Sequence, residues 1–286
     1  MKDPSVKNWD IIITPNQGWF DISLHELWRF RGLLMMQVKR DFVNFYKQTI
    51  LGPLWFFIQP LMSTIVFTVI FNKVAKIPTD ELPPILFYMS GIIAWNYFSD
   101  CLTHTSGTFK KFAVIFGRIY FPRIIIPSAK VISGLLKFCM QFILFLGFYF
   151  YYISIGNQQI NISFQTLLLF PIMIIQIALL GQGLGLILSS LTTKYRDLEH
   201  LISFGTQLLM YASPIIYPLS SVPDQYRNII IANPMSPIIE GFRYIFLGVG
   251  EFSIYIYMYS LIVSISIYIL GVLVFYKVEK NFIDTV

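Results

Sequence analysis

The chain has 286 residues, of which 56% are hydrophobic and 13% charged, and its formal net charge is +6. Soluble domains carry about 25% charged residues, so this composition excludes an ordinary soluble protein. The mean hydropathy of +0.65, with 27 Phe and 17 Tyr, instead indicates a membrane protein with lipid-facing or interfacial aromatic surface.

Residues 1–49 are predicted to be a cytoplasmic N-terminal segment that carries an amphipathic helix. Ser23-Leu24-His25-Glu26 fits a capping box, in which Ser23 caps a backbone N–H and Glu26 reaches back. Apolar residues then recur at helical spacing: Leu24, Leu27, Trp28, Leu34, Val38, Phe42 and Phe45. The cations lie largely off this stripe, which is typical of a helix in the membrane interface. They either anchor the helix to lipid or also meet a substrate.

Residues 50–286 are predicted to form a transmembrane domain, because six apolar windows are long enough to cross a bilayer. The windows are about Pro53–Asn72, Pro84–Thr105, Ile124–Ile153, Thr166–Leu191, Leu201–Tyr217 and Phe252–Tyr276. Between Lys137 and Lys194 there is no charged residue and no histidine over 56 positions. About 20 apolar residues cross a bilayer as a helix, so this stretch alone is long enough to cross it twice. The predicted fold class is an all-α integral membrane protein with six transmembrane helices.

The distribution of Lys and Arg predicts the orientation of these spans. Fifteen of them lie on the side of the N terminus and four on the opposite side, with two more near the N-terminal side of the third span. Because cytoplasmic loops carry an excess of Lys and Arg, both termini are predicted to be cytoplasmic.

The connection between the fifth and sixth spans, residues 218–251, is apolar yet repeatedly interrupted. The prolines in and just before it are Pro214, Pro218, Pro223, Pro234 and Pro237. Neither half is long enough to span a bilayer, and irregular backbone at membrane depth is tolerated only where protein or a water-filled cavity covers it. The segment therefore predicts a re-entrant helical hairpin in the outer leaflet, at the outer mouth of a pathway.

The sequence carries no motif of a soluble nucleotide-binding or metal enzyme. There is no Gly-x-x-x-x-Gly-Lys-Ser/Thr phosphate loop. The two cysteines and three histidines show no disulfide or metal-ligand spacing. Gly181-x-Gly183-x-Gly185 lies within the fourth span without a preceding strand, and is interpreted as close helix–helix packing rather than nucleotide binding.

Ionisable residues are also scarce inside the spans. Proton- or ion-coupled transporters place such residues at mid-membrane, whereas Asp100, Lys130 and Lys137 lie toward the ends of their spans. Coupling to Na⁺ through backbone carbonyls stays open. The chain is therefore predicted to be a pathway without its own motor, driven by a partner, or else a passive channel.

Four motifs follow one another along the chain: Tyr46-Lys47-Gln48-Thr49-x-Leu51-Gly52-x-x-Trp55-x-x-x-Gln59-Pro60-Leu61, Tyr120-Phe121-Pro122-Arg123-x-x-x-Pro127, Tyr195-Arg196-Asp197 and Asn233-Pro234-x-x-Pro237-x-x-Glu240-x-x-Arg243. Together they resemble the type-2 ABC exporter permeases that export polysaccharides, namely the O-antigen, capsule and teichoic acid permeases. The resemblance runs from about residue 26 to the C terminus. The family often has Arg just before the first motif, where this chain has Phe45.

This resemblance implies the permease subunit of an ATP-driven exporter, which moves a lipid-linked polysaccharide, O-antigen first among the candidates, across the bacterial inner membrane. Two copies would pair around a two-fold axis, and two copies of a separate nucleotide-binding ATPase would dock beneath them. The chain itself is then not an enzyme and binds no cofactor or metal, because ATP and Mg belong to the ATPase. Membrane lipids are expected partners and nucleic acid is not.

Two cytoplasmic connections are predicted to couple the chain to that ATPase. The candidate residues are Lys110, Lys111, Phe112, Phe116, Arg118, Tyr120, Arg123, Arg196 and Asp197. A short helix with apolar knobs and basic flanks fits a groove on a partner, although a plain positively charged cytoplasmic loop would also carry the cations. Arg40 and Lys47 are predicted to bind the pyrophosphate of the lipid carrier at the cytoplasmic entrance. Arg would bind phosphate through two parallel N–H donors, and Lys through its localised positive charge.

Aromatic residues in the first two spans are candidates for the glycan path, because sugar C–H faces pack on rings and a path should bind weakly and repeatedly. They are Trp55, Trp95, Tyr97 and Phe98. Lipid-facing or interfacial anchoring is the alternative for each. The outer gate is predicted at Asn233, Pro234, Glu240 and Arg243.

Other functions fit the sequence less well. A permease of a drug or small-lipid ABC exporter would share the fold but use a narrower pocket. A membrane-embedded transferase would need a catalytic carboxylate or histidine near the interface, for which Asp100 with His104 is the nearby pair. A structural anchor for another complex is the remaining alternative.

Overall fold

The computed structural model describes residues 28–47, 50–116, 121–156, 167–192, 195 and 197–282. Within these ranges the chain is helical and contains no strand. The α-helices there are α1 (Arg31–Tyr46), α2 (Trp55–Phe67), α3 (Pro84–Ser106), α4 (Thr108–Phe116), α5 (Ile125–Ser154), α6 (Leu169–Thr192), α7 (Leu198–Tyr211), α8 (Asp224–Ala232), α9 (Met235–Leu247) and α10 (Ile254–Phe282). The all-α prediction is confirmed.

Four helical segments of the described chain are long and apolar enough to cross a membrane. They are Gly52–Val74, Ile125–Ser154, Leu169–Thr192 and Ile254–Glu279. The first joins a 3₁₀ turn, α2 and a π-helical stretch, and it holds Pro60 in its interior. Thr64 donates its hydroxyl to the Pro60 carbonyl at 2.7 Å. These four segments match the first, third, fourth and sixth predicted spans.

The other two predicted spans differ from this pattern. Helix α3 has 23 residues, which is long enough, but polar side chains such as Asp100 and His104 lower its apolarity, and neighbouring helices bury most of it. Helix α7 has 14 residues, about 21 Å at 1.5 Å per residue, against a hydrocarbon core of about 30 Å. It ends at Tyr211 because Pro214 disfavours helical backbone at the residue before it. The predicted span Leu201–Tyr217 is therefore not one continuous helix.

Helix α6 lies at the centre of the fold, between α3 and α10. Its glycines divide between the two neighbours. A Cβ on Gly181 would lie 2.7 Å from the Cβ of Cys101 on α3, and one on Gly183 would lie 2.6 Å from the Cα of Tyr268 on α10. Contacts this short leave no room for a side chain, so the interpretation of the glycine motif as close helix–helix packing is confirmed.

Helix α3 also packs against α5, and α5 packs against α1. Part of the apolar stripe predicted for the N-terminal helix faces the protein, since Val38 is buried and Leu34 and Phe42 are half-buried, whereas Trp28 is exposed. The Ser23-to-Glu26 capping box lies outside the described residues. The position of α1 at the membrane interface stays a prediction.

Two short helices, α8 and α9, occupy the segment predicted to form a hairpin. Nearly every residue of α9 is buried, whereas α8 has no buried residue. Helix α9 ends at Gly248, whose φ of 69° is the left-handed backbone conformation that favours glycine. The depth of this pair in a bilayer stays a prediction.

Apolar side chains are exposed in quantity on α2, α7 and α10. On α7 they include Leu201, Phe204 and Leu208, and on α10 they include Tyr255 and Ile262. Apolar surface of this extent needs lipid or another subunit to cover it.

Candidate functional site

Two of the residues predicted to form the outer gate, Glu240 and Arg243, form a buried ion pair on α9. Glu240 Oε1 lies 3.0 Å from Arg243 Nη1, and both side chains are 2% exposed. Arg243 Nη2 also donates to the carbonyl of Ile215 at 3.0 Å and to that of Phe87 at 3.5 Å. Its guanidinium carbon lies 3.7 Å from the centroid of the Phe87 ring. Arg243 therefore joins α9 to α3 and to the turn after α7.

Glu240 extends the same network toward α10. Its Oε2 accepts the backbone N–H of Glu251 at 3.4 Å. Between α9 and α10, Gly250 has a φ of +127°, and a Cβ there would lie 3.1 Å from the Glu240 carbonyl. Burial raises the pKa of the Glu240 carboxyl, and the adjacent Arg243 guanidinium favours its ionised form.

Asn233 and Pro234 fix the start of α9. The Asn233 side chain accepts the backbone N–H of Met235 at 3.0 Å and donates to Ser213 Oγ at 2.9 Å. The Pro234 carbonyl accepts the hydroxyl of Ser260, on α10, at 2.6 Å. The four predicted outer-gate residues thus lie at the start and in the middle of α9, and two of them, Asn233 and Arg243, bond to the turn after α7. We call this set the outer lock: Asn233, Pro234, Glu240 and Arg243. Their role as a gate stays a prediction.

At the other end of the molecule, α4 is held by aromatic packing. The Phe109 ring stacks on Phe275 of α10 with centroids 4.5 Å apart. Phe116 packs on Phe121 at 5.8 Å. Arg123 lies over Phe116 and places its Nε 3.7 Å from Glu279 Oε1. These contacts join α4 and the start of α5 to the end of α10.

The predicted ATPase-coupling residues are divided by this packing. Phe116 and Arg123 are buried in the protein, whereas Lys110, Lys111 and Asp197 are exposed. Arg118, Tyr120 and Arg196 lie outside the described residues. Lys110 forms an ion pair with Glu199 of α7, and that hydrogen bond holds the pKa of the Glu199 carboxyl below its usual range. Among the described residues of α4, Lys110 and Lys111 can therefore be reached by a partner, whereas Phe116 is covered by the chain itself. The coupling role stays a prediction.

Of the two predicted entrance residues, Arg40 lies beside α4. The Arg40 side chain is 43% exposed and lies 3.5 Å from Asp41, and Lys47 is exposed at the end of α1. Asp41 Oδ2 accepts a bond from Lys130 Nζ at 2.7 Å. The Phe112 ring contacts Arg40 and Lys130. Its centroid lies 6.0 Å from the Arg40 guanidinium carbon and 5.7 Å from Lys130 Nζ. One aromatic side chain of α4 thus contacts cations from α1 and α5.

Two ion pairs at this end were not predicted from the sequence. Asp41 pairs with Lys130, and Asp100 pairs with Lys137 at 2.9 Å. The sequence shows Asp100, Lys130 and Lys137 only as separate residues near span ends. The spacing of seven between the two lysines, which puts both on one helical face, was the available signal.

The aromatic residues predicted for the glycan path lie mostly in the core. Trp95, Tyr97 and Phe98 are buried in the main cluster of α3, α5 and α6, whereas Trp55 is 50% exposed. In this conformation Trp55 alone of the four offers a ring to a ligand outside the protomer. The glycan-path role stays a prediction.

With this geometry in place, comparison with known proteins gives the family. The model of the ABC-2 type transporter family matches residues 33–247, well over half of the chain. The chain belongs to the ABC-2 type transporter family. An ABC-2 transporter chain of this kind is a permease subunit and not itself catalytic, and the family implies an ATPase partner. The outer lock and all of α4 lie within the matched range.

Relatives of this ABC-2 transporter chain include named export permeases. An O-antigen export system permease protein RfbA of Klebsiella pneumoniae is 28% identical over 253 residues, 88% of this chain and 94% of the relative. One of Myxococcus xanthus is 26% identical over 226 residues, 78% of this chain and 83% of the relative. The polysialic acid transport protein KpsM of Escherichia coli is 22% identical over 215 residues, 73% of this chain and 77% of the relative.

Proposed function

We propose that this chain is the permease subunit of an ATP-driven exporter that moves a lipid-linked polysaccharide, O-antigen in the first instance, out of the cytoplasm. The observation that carries the proposal is similarity, over 88% of the chain, to a permease named for O-antigen export. The outer lock supports the proposal, because its four residues belong to one of the motifs that resemble those of polysaccharide exporters.

The working assembly is a homodimer of this chain with two copies of a cytoplasmic ATPase. Exposed apolar surface on α2, α7 and α10 supports a membrane-embedded subunit that packs against a second copy and lipid. In the bacterial inner membrane both termini face the cytoplasm, as the Lys and Arg distribution indicates. Helix α3 and the α7 region complete six spans, and α8 with α9 forms the re-entrant hairpin in the outer leaflet.

Coupling runs through α4. The ATPase contacts the exposed basic side of α4 at Lys110 and Lys111. Movement of α4 is transmitted to α10 through the stack of Phe109 on Phe275. It is transmitted to α1 and α5 through Phe112, which contacts cations of both helices. Packed side chains transmit such shifts because close-packed interiors do not absorb them.

The lipid-linked substrate enters beside α1. Arg40 and Lys47 are exposed there, and both suit the diphosphate of a polyprenyl carrier. The outer lock then opens or closes the outer end of the pathway. Because Arg243 joins α9 to α3, a movement of either helix is transmitted to the other.

The proposal is tested by co-expressing the chain with its ATPase and measuring ATP hydrolysis in lipid, with and without polyprenyl-diphosphate-linked glycan. We expect a complex of two permease and two ATPase chains whose hydrolysis rises with the glycan-bearing lipid. In cells, deletion should remove the polymer from the surface and make it accumulate inside. Normal surface polymer would contradict the proposal, and stimulation only by small lipophilic compounds would favour a drug or small-lipid exporter.

A further inference from the structure

Polar side chains form a stripe where α3 and α5 face each other. On α5, Lys130, Lys137 and Gln141 are seven and four residues apart, and on α3, Asn96 and Asp100 are four apart, so each set lies on one helical face. The two sets meet, because Lys137 Nζ lies 2.9 Å from Asp100 Oδ2 and Asn96 Nδ2 lies 3.5 Å from Gln141 Oε1. We call this surface the polar groove. From Lys130 to Gln141 it extends about 16 Å along α5, roughly half of a hydrocarbon core of about 30 Å.

The polar groove opens at one end into a pocket of about 280 Å³. Among its lining residues are Asp41, Asn44, Asp100, His104, Lys130 and Ser133. Gly134 also lines it, so a larger side chain at this position would reduce its volume. A Cβ there would also touch the buried Tyr97 ring at 3.4 Å. The volume is close to the lower limit of ligand pockets, about 300 Å³. It therefore suits one small polar group at a time.

The charges of the polar groove cancel in pairs. Asp41 is paired with Lys130 and Asp100 with Lys137, and the four side chains have between 9% and 22% of their surface exposed. A dianion such as phosphate gains little from lysines that already have carboxylate partners, and a cation gains little from carboxylates that already have lysines. The exposed cation Arg40 lies next to the pocket, where it makes a longer contact of 3.5 Å to Asp41, one of the lining residues. We treat this side as the mouth of the groove.

Hydroxyl groups match this arrangement. A hydroxyl donates to a carboxylate and accepts from an ammonium at the same time, and both bonds are charge-assisted. Asn96 and Gln141 provide amides at the inner end, and Gln141 Nε2 is buried without a hydrogen-bond partner among the described residues. Ionisable and amide side chains inside a membrane segment mark substrate paths rather than packing.

We propose that the polar groove binds the hydroxyl groups of the exported glycan, one sugar residue at a time, while Arg40 at its mouth holds the diphosphate of the carrier. This assignment rests on the proposed function and deepens it, because it names the residues that read the sugar. It assigns the sugar contact to the partly exposed paired charges and Asn96 instead of the buried rings of α3, with Gln141 holding Asn96 from inside the protein.

The test uses the permease–ATPase complex in lipid and two probes: a polyprenyl diphosphate without sugar, and the same lipid carrying its glycan. Two groove variants are compared with wild type. Asp100→Leu with Lys137→Met removes both charges together, because removing one alone would leave a buried charge unpaired. Gly134→Leu narrows the pocket without changing a charge, and its Tm is compared with that of wild type because its Cβ would also touch the Tyr97 ring at 3.4 Å. Gly147→Leu controls for adding a leucine to α5, since a Cβ at Gly147 meets nothing within 4 Å.

We expect both groove variants to assemble with the ATPase and to need at least tenfold more glycan-bearing lipid for half-maximal stimulation. Their response to the sugar-free lipid should equal that of wild type, as should both responses of Gly147→Leu. Wild-type sensitivity of the groove variants to the glycan-bearing lipid would overturn the inference. Equal loss of both responses would overturn it too, because the groove would then read phosphate. If wild type responds to neither probe, the proposed function fails and the inference fails with it.

Discussion

Replacing Arg243 with methionine removes the centre of the outer lock. Methionine keeps much of the side-chain volume but loses the ion pair to Glu240, the two carbonyl contacts to Ile215 and Phe87, and the contact with the Phe87 ring. It leaves Glu240 buried with its charge uncompensated. Breaking a buried ion pair from one side destabilises by about 3–5 kcal/mol.

The double variant Glu240→Gln with Arg243→Met separates charge from packing. It removes the unpaired carboxylate, but the Ile215 carbonyl still loses its donor at 3.0 Å, which costs about 1–3 kcal/mol. We therefore expect the double variant to be more stable than Arg243→Met by about 2 kcal/mol, the difference between these ranges.

The assay is thermal unfolding of the purified permease in lipid discs, followed by intrinsic fluorescence. A change of 1 kcal/mol shifts Tm by about 2–4 °C in proteins of 150–250 residues, so Arg243→Met should lower Tm by roughly 6–20 °C. The double variant should recover part of that loss. If it is no more stable than Arg243→Met, Glu240 is not a buried charge held by Arg243 and the reasoning is refuted.

Four further substitutions test the packing and the coupling. Gly183→Leu should prevent α6 and α10 from packing, since a Cβ there would already lie 2.6 Å from the backbone of α10. The loss of stability should exceed the cost of ordinary overpacking, about 1–3 kcal/mol. The assay is the monodisperse yield on size exclusion, and a yield equal to that of wild type would contradict the prediction. Trp95→Ala should lower the free energy of unfolding by about 3–5 kcal/mol, whereas Trp55→Ala should change it by about 1 kcal/mol at most, because the Trp55 residue is half exposed. Equal losses of Tm would mean that burial does not distinguish the two residues. Phe275→Ala should lower glycan-stimulated ATP hydrolysis more than basal ATP hydrolysis, because it removes the stack on Phe109 that joins α4 to α10. An equal effect on both rates would argue against transmission through this stack.

Much of the fold follows from local features of the sequence. Four predicted spans match helical segments that are long and apolar enough to cross a membrane, because length and apolarity are read within about 20 residues. The glycine motif of α6 was interpreted correctly for a similar reason, since a small-residue pattern on one helix reports the closeness of its neighbours. The extent of α7 was not predicted correctly from apolarity, because Pro214 ends the helix within an otherwise apolar window.

The contacts of the candidate functional residues could be predicted in some cases and not in others. Glu240 and Arg243 are three residues apart on one helix, and their pairing is the kind of contact that spacing can suggest. Phe116 was predicted to project toward a partner, but it packs on Phe121. An amphipathic pattern says that a face is apolar and does not say whether the chain itself or another subunit covers it.

By itself the sequence determined that this protein is helical and membrane-embedded, and its motifs pointed to the ABC-2 exporters before any fold was known. Tertiary structure alone decided which distant side chains meet. Asp41 and Lys130 are 89 residues apart, and Arg243 reaches the Phe87 carbonyl across 156 residues. Such contacts depend on how whole helices pack, and the energy of a charge or a ring is set by the neighbours that packing brings to it.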